Sequence, residues 1–590
     1  MHNSSTVGTP RPFLVEAQKN AKSLLDVPLS ALVPGLRPLL RLYRDLPDEL
    51  MTTPEDFASS ILEAMGITVQ TQGESLSALP ASGPLLLTAN HPFGGVEGLV
   101  VAALCARVRP DMKLLANRVL FSLPELRPLL IAVDVFTKNE SGAGNVSGLR
   151  AALRHMEAGG ALAMFPSGVV SHWDMRQRRV ADPAWNSLTG RLARVPGAAV
   201  VPLYFEGRNS LLFQIAGCLH PILRTALLPR EMWRRRRHTI RMHVGKAIAP
   251  EVLTSLHSDS ARTAHIRACC YAPARTNIRA ARNWRVPVAA PRERRPLLDE
   301  IAALPPDNTL AQEGPFQVLL MDGANAPHTL HEIGRLREET FRTIQEGSGK
   351  NLDLDRFDPH YLHLVLWDTN AEAVAGSYRA RCFPPAKAPD TLKSLYTASL
   401  FRFQQEFFER CGPCMELGRA FVAQEYQRGP APLYALWRGI GRLSAMTGTR
   451  TLFGPSSIGF DYAPESVLML RQHLEEKHFA PELAALARGR CPPAVFAGPN
   501  MPDARGLEYK TLDRAVRELE GGKGLPILFK LYLQLGGRIV SFHEDHDFGT
   551  LDVLMIVDLP TAPQKQLLRY MGTESAALLL KQFASSGGSQ

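Results

Sequence analysis

The sequence holds no uninterrupted apolar run approaching twenty residues, which argues against a bilayer-spanning helix. It has only eight cysteines, irregularly spaced, so no disulfide framework is expected. The first thirty residues lack the basic start, apolar core and small-residue cleavage site of a secretory signal, and a reducing, cytoplasmic location is the expectation. There is no internal repeat and no low-complexity block. Gly521-Gly522-Lys523-Gly524 lacks the spacing of a phosphate loop and reads as a turn. Cys411-Gly412-Pro413-Cys414 has the two-residue spacing of thioredoxin-like sites. It runs directly into Met415–Val422, which reads as strand, whereas a redox pair needs to open a helix that lowers the first thiol's pKa. No further ligands stand at zinc spacing, so neither a metal nor a redox cofactor is expected.

What is present describes a folded, multidomain chain. Its 590 residues exceed what one core supports, and 45% apolar against 21% charged residues is ordinary for globular proteins. Disorder is expected only at Met1–Pro12 and Ala584–Gln590. The net charge of +10 is uneven: residues 1–300 carry 37 basic and 24 acidic groups (+13), residues 301–590 carry 30 and 33 (−3). The first half is therefore the one suited to an anionic partner.

From Pro84 to Arg208, short apolar runs (Leu85–Thr88, Leu129–Val133, Ala161–Phe165, Ala199–Leu203) alternate with helical stretches, the signature of an α/β layer domain. An Arg-, Ala- and Pro-rich stretch between Pro250 and Gly314 reads as a linker region, with its clearest break at Val286–Pro296. A second α/β unit begins near Pro315, with strands expected around Leu362–Trp367, Ala373–Arg379, Met415–Val422 and Thr451–Phe453. The organisation expected is a helical region over 1–79, domains over 80–250 and 315–583 joined by the linker 251–314, and a short tail.

The first chemical signal is Asn90-His91-Pro92-Phe93-Gly94-Gly95-Val96-Glu97, a histidine and a carboxylate on a glycine-rich turn after a strand. A histidine held by a carboxylate can take a proton from an attacking hydroxyl near neutral pH. Further blocks follow in order: Lys113–Lys138, then Phe165-Pro166-Ser167-Gly168, then Val201-Pro202-Leu203-Tyr204-Phe205-Glu206-Gly207-Arg208. Together, over residues 80–245, they resemble the glycerolipid acyltransferase superfamily. That resemblance implies His91 and Glu97 as catalytic groups, and Asn90 with Phe165, Pro166, Ser167 and Gly168 as substrate-binding. The acid stands six positions after His91 instead of the family's five. Ser167 and Val170 occupy the places of the family's phosphate-holding Glu and Arg, which implies an acceptor hydroxyl on something other than glycerol phosphate.

In the second unit the signal is a dispersed charge set: Arg337 with Phe341, Asp355 with Asp358, Gly376–Arg379 and Met415-Glu416-Leu417-Gly418-Arg419. On a regular strand Glu416 and Arg419 would face opposite ways, so at least one is expected at a strand end. From Gly334 to His473 this set resembles the N-acyl synthases of the ornithine-lipid and acyl-homoserine-lactone type, built on an acetyltransferase-like (GNAT-type) fold. The resemblance implies Glu416 as acceptor of an amine proton through water. Arg379 and Arg419 would bind carboxylate or shape the site, with Arg337 and Phe341 beside them, and Asp355 and Asp358 would organise the entrance for an amino-acid substrate.

The order of the two halves resembles the bifunctional ornithine lipid synthases. In that scheme the second half N-acylates ornithine from 3-hydroxyacyl carrier protein and the first half O-acylates the resulting 3-hydroxyl from acyl carrier protein. Acyl carrier protein and the cytoplasmic face of the membrane are then the expected partners. Two alternatives stand beside it: a lysophospholipid O-acyltransferase whose second half only binds acyl carrier protein, and a basic nucleic-acid-binding protein relying on Arg234–Arg237. No recognition module or aromatic stacking platform accompanies that run. Leu211–Leu228 with Trp233 beside it better suits anionic lipid or an acidic carrier protein. No nucleic-acid partner is expected.

Overall fold

The computed structural model describes residues 33–47, 52–117, 120–121, 123–133, 143–174, 179–276, 286–384, 392–493 and 501–586. Met1–Pro12 and parts of the Lys113–Lys138 block lie outside them. The chain divides into two compact units, residues 1–278 with 497–523, and residues 279–496 with 524–590.

In the first unit, β1 (Thr68–Gly73), β2 (Leu85–Ala89), β3 (Lys113–Asn117), β4 (Leu130–Val133), β5 (Ala161–Met164), β8 (Ala199–Phe205) and β9 (Thr239–Val244) form one sheet in the order β1-β9-β8-β2-β5-β3-β4. The five strands β8, β2, β5, β3 and β4 run parallel, and β9 turns antiparallel to β8. β2 and β5 are buried at every residue, as the unbroken apolar runs of central parallel strands require. A small hairpin, β6 (His172–Asp174) and β7 (Arg179–Ala181), stands apart. The helices that matter below are α1 (Val96–Val100), α2 (Leu211–Leu219), α3 (Pro221–Arg234) and α4 (Asp259–Cys270).

α4 lies inside the stretch expected to be linker, and all its residues from Ala261 onward are buried. Composition disguised it, because its arginines bond to carbonyls inside the fold. Arg262 donates from Nε to the Leu253 carbonyl at 2.7 Å, and Arg267 donates to the Asp182 carbonyl at 3.0 Å. Helix Tyr509–Leu519 also belongs to this unit, with Glu518 accepting from the Ala249 amide at 2.7 Å.

The second unit is an eight-stranded sheet in the order β10-β11-β12-β13-β15-β16-β19-β18: β10 (Thr309–Glu313), β11 (Phe316–Asp322), β12 (Leu362–Asp368), β13 (Ala373–Phe383), β15 (Cys414–Val422), β16 (Thr451–Gly459), β18 (Arg538–Asp545) and β19 (Thr550–Asp558). β14 (Phe401–Phe403) and β17 (Ala487–Gly489) pair separately. Helices α5 (Pro327–Thr343) and α6 (Ala431–Thr447) pack on the sheet. A Cβ at Gly439 of α6 would meet Val318 Cγ1 at 2.5 Å, so that glycine sets how closely the helix approaches. The stretch from Leu525 to Asp552 supplies a helix and most of the β18–β19 hairpin that completes the sheet.

Among the described residues β15 and β16 are the only parallel pair in this sheet, and they pair only over Cys414–Glu416 and Thr451–Phe453. Beyond that point β15 pairs with β13 and β16 with β19, so the sheet splays open next to Arg419. Both units are α/β, as the alternation of strands and helices predicts.

Candidate active sites

The first site forms where β2, β5 and β8 end. In open parallel sheets the carboxyl ends of strands are where ligands bind, and three of the sequence blocks arrive there together. Asn90 sits at the end of β2 and braces it to β8: Nδ2 donates to the Phe205 carbonyl at 2.9 Å, and Oδ1 accepts from the Phe205 amide at 2.7 Å. Its amide thus holds the turn in place.

His91 follows, with its Nδ1 3.4 Å from Glu97 Oε1. Glu97 is fully buried on the first turn of α1, where its carboxylate also accepts from the amides of Phe93, Gly94 and Gly95. A carboxylate at a helix N-terminus, fed by amide donors, is electrostatically favoured. Burial opposes charge on both partners, yet each outweighs it for the other. His91 is raised above its ordinary pKa by Glu97, with Asp182 behind it, and Glu97 is lowered by His91 and the amides. The Phe165 ring stacks on the imidazole, centroids 4.5 Å apart and planes 26° apart. With Nδ1 turned to Glu97, Nε2 is the nitrogen left to accept a proton.

The remaining block residues shape the wall. Gly168 takes a left-handed turn at φ 66°, Pro166 accepts from the Asn186 amide at 3.1 Å, and Ser167 Oγ donates to the Val169 carbonyl at 2.8 Å. Val170 is buried. Neither Ser167 nor Val170 offers charge to a phosphate. Cationic groups come from elsewhere: the Arg235 guanidinium lies 4.1 Å over the Phe93 ring and donates to the Arg208 carbonyl. One member of the Arg234–Arg237 run is therefore packed against the His91 turn. Beside it a cleft of about 670 Å³ is lined by residues including Trp173, Arg208, Asn209, Leu211, Ile215 and Arg235.

Asp182, which the sequence did not single out, holds this turn from behind. Its Oδ1 accepts from the His91 amide at 3.2 Å and from Ser171 Oγ, and its Oδ2 accepts from Trp185 Nε1 at 2.9 Å. It lies 91 positions from His91, so no local spacing could have revealed it.

The second site is a buried charge network beside the splay of the second sheet. Asp358 Oδ1 accepts from Arg337 and Arg379, each at 3.1 Å, and its Oδ2 accepts from the Asp355 amide at 2.7 Å. Arg379 also donates to Asp355 Oδ1 at 2.8 Å. Arg419 lies 3.7 Å from both Asp353 and Asp355 and 4.2 Å over the Phe548 ring. Asp358 is fully buried at the centre of this network instead of at an entrance, because two guanidinium groups enclose it; they hold its carboxyl well below the usual range against the opposing effect of burial.

Arg419 has φ 50°, and the β13–β15 register slips between Ser377 and Arg379. This irregularity, and not a strand end, is what breaks the expected alternation between Glu416 and Arg419. Glu416 is buried, with Oε1 accepting from the Thr397 amide at 2.6 Å and Oε2 from the Tyr361 hydroxyl. The Glu416 carboxylate is thus held between a backbone amide and the Tyr361 hydroxyl. Phe341 is partly buried and packs against the apolar cluster that contains Leu319, Ile333 and Trp367.

Comparison with known proteins agrees with both halves. Residues 38–272 match the model of the family described as Acyltransferase, and residues 336–438 match the Acetyltransferase (GNAT) domain. The chain is 30% identical over 269 residues to the glycine N(alpha)-acyltransferase of Bacteroides thetaiotaomicron, covering 41% of this chain and 77% of that protein. The chain belongs to this acyltransferase family. It is also 29% identical over 204 residues to the lyso-glycine lipid O-acyltransferase of Phocaeicola vulgatus, covering 33% of this chain and 68% of that protein. With the L-ornithine N(alpha)-acyltransferase of Rhodobacter capsulatus it shares 27% over 257 residues, 39% of this chain and 86% of that protein.

In this acyltransferase the Cys411–Cys414 pair lacks the setting for redox chemistry. Cys411 ends a helix and Cys414 opens β15, both are buried, and the Cys414 thiol is pushed up by its neighbour Cys411 and by burial. Besides Asp182, the structure adds Asp353, Tyr361 and Asp552 to the residues near the two sites. Asp552 on β19 is buried, accepts from Ser457 Oγ at 2.7 Å, and has its carboxyl pushed up to about 6 by burial.

Proposed function

We propose that this enzyme makes a diacylated amino-acid lipid in two steps. In the second unit, the α-amine of an amino acid attacks the thioester of a 3-hydroxyacyl carrier protein. A C–N bond forms, the C–S bond breaks, and the amine proton passes toward Glu416 by way of Tyr361 and from there to the departing thiolate, so that the carrier leaves as its thiol. The Arg379–Arg419 side of the network offers positive charge to the amino acid's carboxylate. In the first unit, the 3-hydroxyl of that product attacks a second acyl thioester. A C–O ester bond forms and the C–S bond breaks; His91 Nε2 takes the hydroxyl proton while Glu97 stabilises the imidazolium, which then gives that proton to the departing thiolate. Acyl carrier protein and a peripheral position on the cytoplasmic face of the membrane belong to this reading, and no metal or redox cofactor enters either step.

The observation that carries it is the first site itself. A His–Glu pair is assembled at the strand ends, yet the two wall positions expected to hold a phosphate are a hydroxyl bonded to backbone and a buried valine. The relatives' names support an amino-acid acceptor, glycine or ornithine.

The test is expression in a bacterium lacking amino lipids, followed by mass spectrometry of the lipid extract. Wild type should yield a diacylated amino-acid lipid, whose mass identifies ornithine or glycine. His91→Ala should accumulate the mono-acylated species, and Glu416→Ala should abolish both. Absence of both species from wild-type cells would remove the bifunctional reading.

A further inference from the structure

Among the described residues, six of the fourteen exposed large apolar side chains, including the three most exposed, lie in one place. Leu211, Leu212, Ile215, Leu219, Ile222 and Leu223 are all exposed, Leu211, Leu219 and Ile222 by 70% or more. All six fall within the α2–α3 hairpin. On α2 the exposed positions are 211, 212, 215, 218 and 219, the spacing of one helical face, and that face carries only Leu, Ile and Cys. The opposite face, Phe213, Gln214 and Ala216, is buried, so the hairpin is fixed in place with its apolar side outward.

The base of the hairpin is tied to the His91 turn. Ser210 donates from its amide and hydroxyl to Glu231 at 2.9 and 2.7 Å, Asn209 Nδ2 donates to the Phe93 carbonyl at 3.2 Å, and a Cβ at Gly94 would meet Leu228 at 2.6 Å. Basic residues gather at this base and not on the apolar face. Arg208, Arg234, Arg236 and Arg237 are exposed there, and Arg236 lies 5.0 Å over the Trp233 ring. The cleft beside the hairpin reaches from the apolar face, at Leu211 and Ile215, to Arg208 and Arg235.

We propose that the α2–α3 hairpin sinks its apolar face into the headgroup layer of an anionic bilayer, and that the adjoining cleft admits the lipid acceptor to the His91 site sideways from that layer. An apolar tip with a basic, Trp-bearing collar matches the depth profile of a lipid interface, with hydrocarbon contact at the tip and anionic headgroups at the collar. An acidic protein partner would call for exposed cations within the contact face; the α2 part of the face has none, Arg224 beside it is half-buried against Gly217, and His220 is engaged in capping α3. The acceptor's acyl chain lies along Leu211 and Ile215, and its carboxylate meets Arg208 and Arg235. This deepens the O-acyl transfer reading and rests on it for the identity of the acceptor; the docking itself does not.

The test uses the full-length enzyme in co-sedimentation with vesicles of equal parts phosphatidylglycerol and phosphatidylethanolamine, against vesicles of phosphatidylcholine alone. Wild type should favour the anionic vesicles, less so at raised salt. The double substitution Leu219→Glu with Ile222→Glu, at exposed positions outside the cleft lining, should weaken vesicle binding at least about tenfold. It should leave thermal unfolding and the acylation of a short-chain acceptor in detergent unchanged, and lower acylation of a vesicle-borne acceptor. Equal binding by wild type and variant, no binding by wild type, or a loss of affinity for acyl carrier protein instead of vesicles would each overturn the proposal. Vesicle binding without any acylation of the short-chain acceptor by wild type would sink the O-acyl transfer reading and leave the docking standing.

Discussion

Glu97 Oε1 lies 3.4 Å from His91 Nδ1 although six positions separate the two residues. The extra residue is absorbed because Glu97 sits on the first turn of α1 and reaches back over its own N-terminus, where three amides hold the carboxylate in place. His91 must be neutral to accept a proton, and its pKa is raised above 6.5 because Glu97 overcomes the effect of burial. O-acyl transfer should therefore rise with pH through a pKa above that value. Glu97→Gln removes the charge and leaves burial to lower the pKa, so the acid limb of the pH–rate profile should move to lower pH while the rate falls. An acid limb that stays put or moves upward would separate Glu97 from the titration of His91. His91→Ala should cost about 10²–10⁴-fold in rate.

Phe165 stacks on the imidazole of His91, so its effect should fall on the ring's orientation before it falls on substrate affinity. Phe165→Ala should lower kcat with little change in KM, and Phe165→Tyr should restore most of it. A rise in KM at constant kcat would instead make Phe165 a contact of the acceptor.

The parts of both sites that local pattern encodes were legible in the sequence. The glycine-rich turn after an apolar run marked His91 and Glu97, and short apolar runs marked most of the strands that carry the residues. What escaped depends on distant segments meeting. Asp182 reaches the His91 turn from far down the chain, Tyr361 and Glu416 meet across 55 positions, and Asp353 joins Arg337 and Arg419 through folding alone. Arg-rich α4 read as linker because charge signals solvent until the partners that bury it are known. Only the sheet shows that Phe205 is the neighbour Asn90 braces.

Glu416 is enclosed by the Thr397 amide and the Tyr361 hydroxyl, which distinguishes a direct base from a relayed one. Glu416→Gln keeps an acceptor for the amide and should lower N-acylation by about 10²-fold or more if the carboxylate receives the proton. Tyr361→Phe leaves the carboxylate in place and removes the relay, so it should produce a comparable loss. Full activity in Tyr361→Phe would mean that the amine proton leaves by another path. Product mass and single-turnover rates read both.

Asp358 anchors Arg337 and Arg379, and all three side chains are buried. Asp358→Asn leaves two buried guanidinium groups short of their counter-charge, and losing one partner of a buried pair costs about 3–5 kcal/mol. Denaturant unfolding of the second unit's transition should show it. The sign with pH follows from a carboxyl held below its ordinary value of 3.8: its stabilising effect is complete above that value and fades as pH falls through the lowered one. The gap between wild type and Asp358→Asn should therefore be constant near neutrality and close only in strong acid.

His265 fastens helix Tyr509–Leu519 to the first unit. Its Nε2 lies 2.9 Å from Glu518 Oε2 and 3.6 Å from Cys269 Sγ. Burial disfavours the imidazolium, yet the neighbouring Cys269 and Glu518 raise its pKa to about 10. A group whose pKa is higher in the folded state contributes fully below its unfolded value of 6.5 and loses that contribution as pH rises toward the folded one. Wild type should thus hold its advantage over His265→Gln at pH 6 and surrender it progressively between pH 6.5 and about 10. Hydrogen exchange of the Tyr509–Leu519 amides should follow the same course, with protection in wild type falling across that window and protection in His265→Gln low and nearly flat. If wild type keeps its protection to pH 10, the contact is held by packing, and the charge of His265 is not what binds the helix.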